Sequence, residues 1–467
     1  MRAARRLHIR MVMPSRGLRW LRPFSTVRRS ERVVVLLLLV LMFLLLASYY
    51  AMKTSREGLI LAEGSFGLSG QQLKAYASGA MACLLLAAVP AYSALATHVR
   101  RIRLIEISYA VVIVTSIAFY VLARMHVPIG LAFFIWIGLV NVFLVAQFWS
   151  YANDLYSEDQ GSRLFAIIAL GGSLGGVAGP WIASLASTEN LLLVSAALLV
   201  PCVAIFHAVE RRHLAEPHAA ASEHRAPIES PGGFSLVWSD RYLTWIAALV
   251  FVGALVKTIG EYVLSDSAAA HAAALVPMTA HAELVGRARE LAITHDREEL
   301  IKQFYGNFYL WVNAVSFGLQ AFVVSRAIEK LGIRRTLFVM PVIALGAYGA
   351  MAVVGGYALV RAAKVAENST EYSLENTVQQ MLFLPTGRAA KYKAKAAIDT
   401  FAVRAGDTAS ALVIWIGVQG IGVRGRGLAA VNVALVAVWL GIAAGVVRLH
   451  RRRARRIDQR ISRVARS

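Results

Sequence analysis

Lys53, Arg56 and Glu57 stand at i, i+3 and i+4, so a helix carries all three on one face. They do so at the end of a run that is otherwise almost wholly apolar. Lys257 and Glu261 repeat the i, i+4 pairing in a second apolar run. Lys364, Glu367, Glu371 and Glu375 form a longer stripe, and Lys393, Lys395, Asp399, Arg404 and Asp407 follow. Lys and Arg give charge-assisted hydrogen bonds to phosphate or carboxylate, which makes an organic anion the expected ligand. The carboxylates beside them would be counter-ions, gates or contacts to amine groups. Lys53–Glu57, Lys257–Glu261 and Lys395–Asp399 also have the spacing to pair among themselves, a purely structural reading. Lys53, about twenty residues into its segment, could also snorkel to an interface.

An ionised side chain at mid-membrane costs about 2.5–3.5 kcal/mol on insertion scales, so charges kept there need a reason. Pairing alone does not explain their concentration on four segments. A pathway role is therefore expected for the first two clusters, while for Asp399, Arg404 and Asp407 pathway and pairing stand side by side.

The elements that would position these residues are transmembrane helices. Of 467 residues 58% are hydrophobic and 16% charged, against roughly a quarter charged in a soluble chain; the mean hydropathy is +0.58. Apolar segments fall near 33–60, 73–97, 104–123, 127–151, 164–186 and 190–209, then 242–265, 307–327, 335–357, 358–383, 396–419 and 427–447. The expected fold is an all-α membrane protein of about twelve transmembrane helices. The first run is long enough to span and lacks a small-residue cleavage pattern, so it is read as an uncleaved helix rather than a signal peptide.

The net charge of +22 is concentrated at the ends: residues 1–32 carry +9 and residues 448–467 carry +8. Beside a membrane span, such tails mark the cytoplasmic side and attract anionic lipid headgroups; nucleic acid is not expected as a partner. With an even number of helices, Arg100, Arg101 and Arg103, then Arg326, Lys330, Arg334 and Arg335, then Arg388, Lys391 and Lys393 fall on that same side. The expected location is a bacterial-type inner (plasma) membrane with both termini cytoplasmic. Cys83 and Cys202 lie in apolar segments and build neither a disulfide framework nor a metal site. No cofactor motif, nucleophile elbow or soluble catalytic domain is present, so an enzyme is not expected. The sequence leaves the oligomeric state open.

The two halves resemble each other. MKTSREGLIL (52–61) aligns with VKTIGEYVLS (256–265), matching Lys53, Thr54 and Glu57 with Lys257, Thr258 and Glu261 at an offset of 204. SALATHVRRIR from Ser93 aligns with SRAIEKLGIRR from Ser325 at an offset of 232. One Ala-rich, amphipathic insert at 266–305 accounts for the difference; it is read as a solvated helical hairpin, with a surface-lying helix or a cap over the pathway as alternatives. The organisation expected is thus a basic tail (1–32), a six-helix half (33–209), a polar linker (210–240), a second six-helix half with an extracytoplasmic insert (241–447), and a second basic tail (448–467). Two parallel six-helix repeats are the major-facilitator plan, in which helices 1, 7 and 10 line the central cavity. In the fifth segment, Gly171/Gly175, Gly172/Gly176 and Gly175/Gly179 give small-xxx-small spacings for close helix approach. Gly175-x-x-x-Gly179-Pro180 also resembles a major-facilitator motif of antiporters.

The segment ENSTEYSLENTVQQMLFLPTGRAAKYKAKAAIDTFAVRAGD (367–407) resembles the ATP/ADP translocase family of bacteria and plastids, which carries a similar E-Y-S…LF-P…K-x-K-x-KAA-[IV]-D run. MKTSREGLIL is similar to the family's cationic-acidic first-helix motif, and FWSYAND (148–154) to its FWGFAN-like segment. The resemblance implies exchange of nucleotides, or of a related phosphorylated anion, through a cavity whose basic residues hold phosphates. Carried over by position, it points to Arg56, Glu261, Lys393 and Lys395. One departure is that the acidic residue the family carries in helix 4 is replaced near Ile137, with Asn141 close by. Two other functions fit the residues themselves. One is a proton-coupled carrier of another organic anion with Glu57 or Glu261 as proton site; the other is a non-transporting receptor or scaffold that binds partners through the insert.

Overall fold

The computed structural model describes residues 27–28, 31–62, 67–156, 158–215, 233–383, 385–386, 390 and 394–464. Most of the first basic tail, the centre of the 210–240 linker, and Arg388, Lys391 and Lys393 lie outside the described residues.

Among the described residues, twelve long helical rods follow one another. The first half comprises α1 (Arg32–Ala62), α2 (Gly70–His98), α3 (Arg101–Arg124), α4 (Gly130–Leu155), α5 (Glu158–Leu185) and α6 (Thr188–Ala215). A short helix, Gly233–Ser239, leads into the second half. There stand α7 (Arg241–Leu275), α8 (Arg287–Thr336, through a π-helical turn at Leu319–Val324 and a kink at Gly332, φ 70°) and α9 (Val339–Val353). They are followed by α10 (357–382), α11 (395–420) and α12 (Arg426–Val464). Among the described residues, nine rods are long and apolar enough to cross a membrane. The remaining rods are α2, α9 and α10; α9 is apolar but has only 15 residues, and α10 carries the Lys364–Glu375 charges.

Two lengths differ from expectation. Helix α7 runs ten residues past 265 and α8 starts twenty before 307, so the 266–305 insert is mainly two helix extensions joined by a turn at 276–286. Alanine, the strongest helix former, explains why the Ala-rich stretch continues the helix rather than breaking it. The last helix also runs on beyond 447 through the basic tail to Val464.

The rods alternate in direction, so the α1–α2, α5–α6 and α7–α8 connections share one end of the bundle, the hairpin end. The α2–α3, α8–α9 and α10–α11 connections share the other, the terminal end, with the start of α1 and the end of α12. Arg100, Arg334 and Arg335 are exposed at the terminal end. One core lies within the first half, and a second takes in the second half together with parts of α1, α2 and α4. In the first, Leu38, Leu41 and Leu45 of α1 meet Tyr109, Phe133, Phe148 and Phe206; in the second, Val256 and Leu264 of α7 meet Phe308, Tyr348 and Val436. Outward faces are apolar and exposed, as at Val111, Val114, Val200, Leu412 and Trp415, which suits contact with lipid tails.

Within lipid, helices associate by close packing rather than by leaving water. The α5 glycines provide it: a side chain at Gly171, Gly175 or Gly179 would strike the backbone carbonyl of Leu39, Phe43 or Ala47 in α1. In the second half, Gly406 of α11 packs likewise on Phe251 and Leu255 of α7. The halves meet along α2 against α11 and along α1 and α5 against α8, with α1, α4, α7 and α10 around a central space.

Candidate functional site

That space is a cavity of about 270 Å³, with walls from α1, α2, α4, α7, α8, α10 and α11. Its first-half charges are built by the α1 motif. Glu57 is fully buried and is held from three sides. Arg56 Nη2 lies 2.5 Å from Oε1 and Lys74 Nζ of α2 lies 2.7 Å from Oε2, while the Tyr309 hydroxyl of α8 donates to Oε1 at 3.2 Å. The Arg56 guanidinium also sits 4.3 Å from the centre of the Phe134 ring.

Lys53 does not pair with Glu57, although i, i+4 spacing allows it. Its ammonium lies 4.2 Å from the centre of the Tyr309 ring and 5.3 Å from that of Tyr50. A cation over an aromatic face is attracted by the ring quadrupole by about 0.5–2 kcal/mol. No carboxylate among the described residues lies within ion-pair distance of it.

The second half uses the repeated positions differently. Lys257 bonds across to Glu371 of α10 at 2.5 Å, not to Glu261. Glu371 opens a π-helical turn, Glu371–Glu375. The wider turn shifts the facing of every later side chain in α10, and such turns recur at functional sites. Glu261 instead accepts from Asn368 at 3.0 Å and lies 3.4 Å from Lys364 Nζ. Behind it, Lys364 pairs with Glu367 at 2.7 Å, and Tyr348 donates to Glu367. Arg56 of the first half corresponds in the repeat to Gly260, where an added side chain would strike the Tyr348 hydroxyl and Lys364. The glycine makes room for a cation delivered by α10 where the first half carries its own. On α11, Arg404 pairs with Asp407 at 3.0 Å, and Thr258 donates to Asp407 at 2.8 Å.

Of the residues singled out by sequence, Lys53, Arg56, Glu57, Lys257, Glu261, Arg404 and Asp407 line the cavity. Glu371 borders it through Lys257, and Glu367 lies buried behind it. Lys395 is not on the cavity wall: it is taken up by Asp399 one turn on, at 2.5 Å, both part-exposed. Lys393 lies outside the described residues. Of the three same-helix pairs the spacing allowed, only Lys395–Asp399 forms. The other two lose to partners on neighbouring helices.

Sequence reading missed Lys74, Asn368 and Tyr309. Lys74 sits one turn into α2 beside Gln71 and Gln72, where a cation reads as an interface residue. Tyr309 belongs to an aromatic run, FYGNFYLW, that reads as core. The assembled wall holds the cations Lys53, Arg56, Lys74, Lys257 and Arg404 against the anions Glu57, Glu261 and Asp407, with Tyr49, Phe134, Tyr309 and Tyr372 between them. The excess of cations suits an anion, and the rings offer flat faces to a planar group.

Residues 342–450 match the model of a protein family described as TLC ATP/ADP transporter. ADP,ATP carrier protein 1 of Chlamydia trachomatis serovar D is 23% identical over 357 residues, 66% of this chain and 63% of the carrier. ADP,ATP carrier protein 1 of Chlamydia pneumoniae is 23% identical over 368 residues, 70% of this chain and 65% of the carrier. The chain thus spans just under two thirds of the length of these relatives. Among solved structures, a bacterial homolog of the human lysosomal transporter Spinster, inward-facing and unoccupied, superposes with a TM-score of 0.58 at 13% identity, covering 91% of this chain and 98% of that one. The nucleoside transporter NupG gives 0.56 at 14%, covering 88% and 98%. These neighbours bear out the all-α, two-half major-facilitator fold. The family match and the carriers bear out the likeness to ATP/ADP translocases read from 367–407.

Proposed function

We propose that this multi-pass membrane protein is a carrier that exchanges nucleotides of the ATP/ADP type, or a related phosphorylated anion, by alternating access. The observation that carries the reading is the cavity between the halves, where five cations face three carboxylates among aromatic rings. Lys53 is central to it. Of the lining cations it is the one without a carboxylate partner among the described residues, so an arriving phosphate need not displace an ion pair to reach it. Arg56 stands one turn on, and its fork can take a second oxygen if Glu57 is left to Lys74 and Tyr309. Lys257 and Glu371 open when phosphate competes for the ammonium, which couples loading to the contact between α7 and α10. The relatives' names supply the nucleotide; the cavity supplies the anion.

The same reading places both termini in the cytoplasm and the 266–305 hairpin outside, in a bacterial-type inner membrane. It is supported by Arg100, Arg334 and Arg335, exposed at the terminal end, and by the continuation of α12 into a run of arginines that suits anionic lipid headgroups. A thermal-shift screen of the purified protein against nucleotides, sugar phosphates and dicarboxylates tests the substrate class. Stabilisation by nucleotides above the other two classes is expected; stabilisation by dicarboxylates alone would overturn the nucleotide assignment.

A further inference from the structure

A second cavity, of about 310 Å³, lies at the hairpin end. Its walls come from α1, α2, α7 and α8, helices that also wall the central cavity. Each passes from one chamber to the other at the same level. On α2, Gln71 faces the hairpin-end chamber and Ser78 the central one, with Lys74 between. On α7 the step is from Asp266 to Glu261, with Ser265 between; on α8 it is from Ile301 to Tyr309, with Tyr305 between; on α1 it is from Leu61 to Glu57.

The residues at that level are bonded to one another. Lys74 Nζ donates to Ser265 Oγ at 2.9 Å and to the Tyr305 hydroxyl at 3.4 Å, and it pairs with Glu57. Ser265 Oγ and the Tyr305 hydroxyl are 3.0 Å apart. Ser265, Tyr305 and Glu57 are fully buried, and Lys74 is 8% exposed. Lys74 belongs to the first half, Ser265 and Tyr305 to the second. One ammonium therefore joins the halves across the line between the chambers.

We infer that the hairpin-end chamber is the outer mouth of the transport path and that Lys74 is a bolt of the gate closing it, the one that an anion entering from the mouth can draw. An anion arriving in the mouth passes Arg297 on its wall and, at the level where the chambers meet, reaches Lys74. It can draw the ammonium off Ser265 and Tyr305, removing one tie between the halves at that end; further ties are the Glu57–Tyr309 bond and the bonds of Glu299 to Thr188 and of Lys302 to the Ala186 carbonyl. The inference rests on the carrier reading, and it assigns gating to a residue outside the first-helix motif.

Distances between spin labels test it without any substrate. In a Cys83→Ser, Cys202→Ala background, one label pair at Asn190→Cys and Glu290→Cys spans the hairpin end, and another at Arg100→Cys and Arg335→Cys spans the terminal end. All four positions are exposed. In Lys74→Gln, the hairpin-end pair should gain a longer-distance population and the terminal-end pair a shorter one. The ratio of populations should shift about tenfold, as expected for loss of a charge-assisted hydrogen bond between the halves. Ser265→Ala, which leaves the Lys74–Glu57 pair intact, should move both distances in the same direction by less. Unchanged distances in both variants, or a longer hairpin-end distance with no change at the terminal end, would overturn the gate. Because no nucleotide enters the measurement, failure of the carrier reading in a transport assay would leave this result independent.

Discussion

Lys53 and Lys257 occupy equivalent positions in the two halves, yet Lys53 faces the Tyr309 ring at 4.2 Å while Lys257 holds Glu371 at 2.5 Å. The repeat conserves the charge and changes its partner. On the carrier reading proposed above, one cation is left for a ligand and the other is placed to report the ligand's arrival to α10.

Lys53→Gln should therefore weaken nucleotide binding about tenfold or more, the scale of a charge-assisted hydrogen bond in a low-dielectric site. Lys395→Gln, which breaks only a part-exposed pair with Asp399, should change it less than twofold. Titration of each purified variant with ATP measures both, and equal losses in the two would remove Lys53 from the site.

How far this arrangement was legible in the sequence depended on what each residue touches. Spacing along a helix placed Lys53, Arg56 and Glu57 on one face, and the repeat placed Lys257 and Glu261 beside them. Spacing could not choose between a partner one turn away and one on another helix. Glu57 goes to Lys74 and Tyr309, and Glu261 goes to Asn368 and Lys364, because the bundle brings α2, α8 and α10 to these carboxylates. The insert at 266–305 was legible as a helical hairpin, but not its continuity with α7 and α8, because the polar residues within it end the apolar runs while alanine carries the helices on. The glycine stripe of α5 was legible because its small residues leave few other uses for that face.

Glu57→Gln should be costly to stability as well as function. It leaves Arg56 and Lys74 buried with a neutral partner, and removing one member of a buried ion pair typically costs about 3–5 kcal/mol. Asp399→Asn should cost about 1 kcal/mol or less, since its pair is part-exposed. Melting of the purified proteins in detergent should show a clearly lower midpoint for Glu57→Gln alone; matching midpoints would contradict the burial argument.

The turn joining α7 and α8 carries a pH-dependent clasp. His281, at φ 51°, bonds through Nε2 to Asp296 at 2.8 Å and through Nδ1 to Glu283 at 3.4 Å. The Asp296 bond in particular raises the imidazole pKa above its ordinary value. A raised folded-state pKa contributes order that is fully present below the unfolded value, about 6.5, and is lost as pH rises through the folded one. Amide-exchange protection over 280–297, corrected for intrinsic rates, should be full below the unfolded value of about 6.5 and fall as pH rises above it. In His281→Ala it should be low and flat. Protection that rises with pH in the parent protein would reverse the sign of this argument.

The central claim is exchange, and counterflow in liposomes tests it most directly. Glu261, held by Asn368 and Lys364, can stay ionised through a cycle in which nucleotide phosphate competes for the cations around it. Uptake of ATP should then require ADP inside the liposome, a pH gradient alone should drive little, and Glu261→Gln should impair the exchange. Strong proton-driven uptake into empty liposomes, lost in Glu261→Gln while exchange between loaded compartments persists, would contradict the account and make Glu261 a proton site instead.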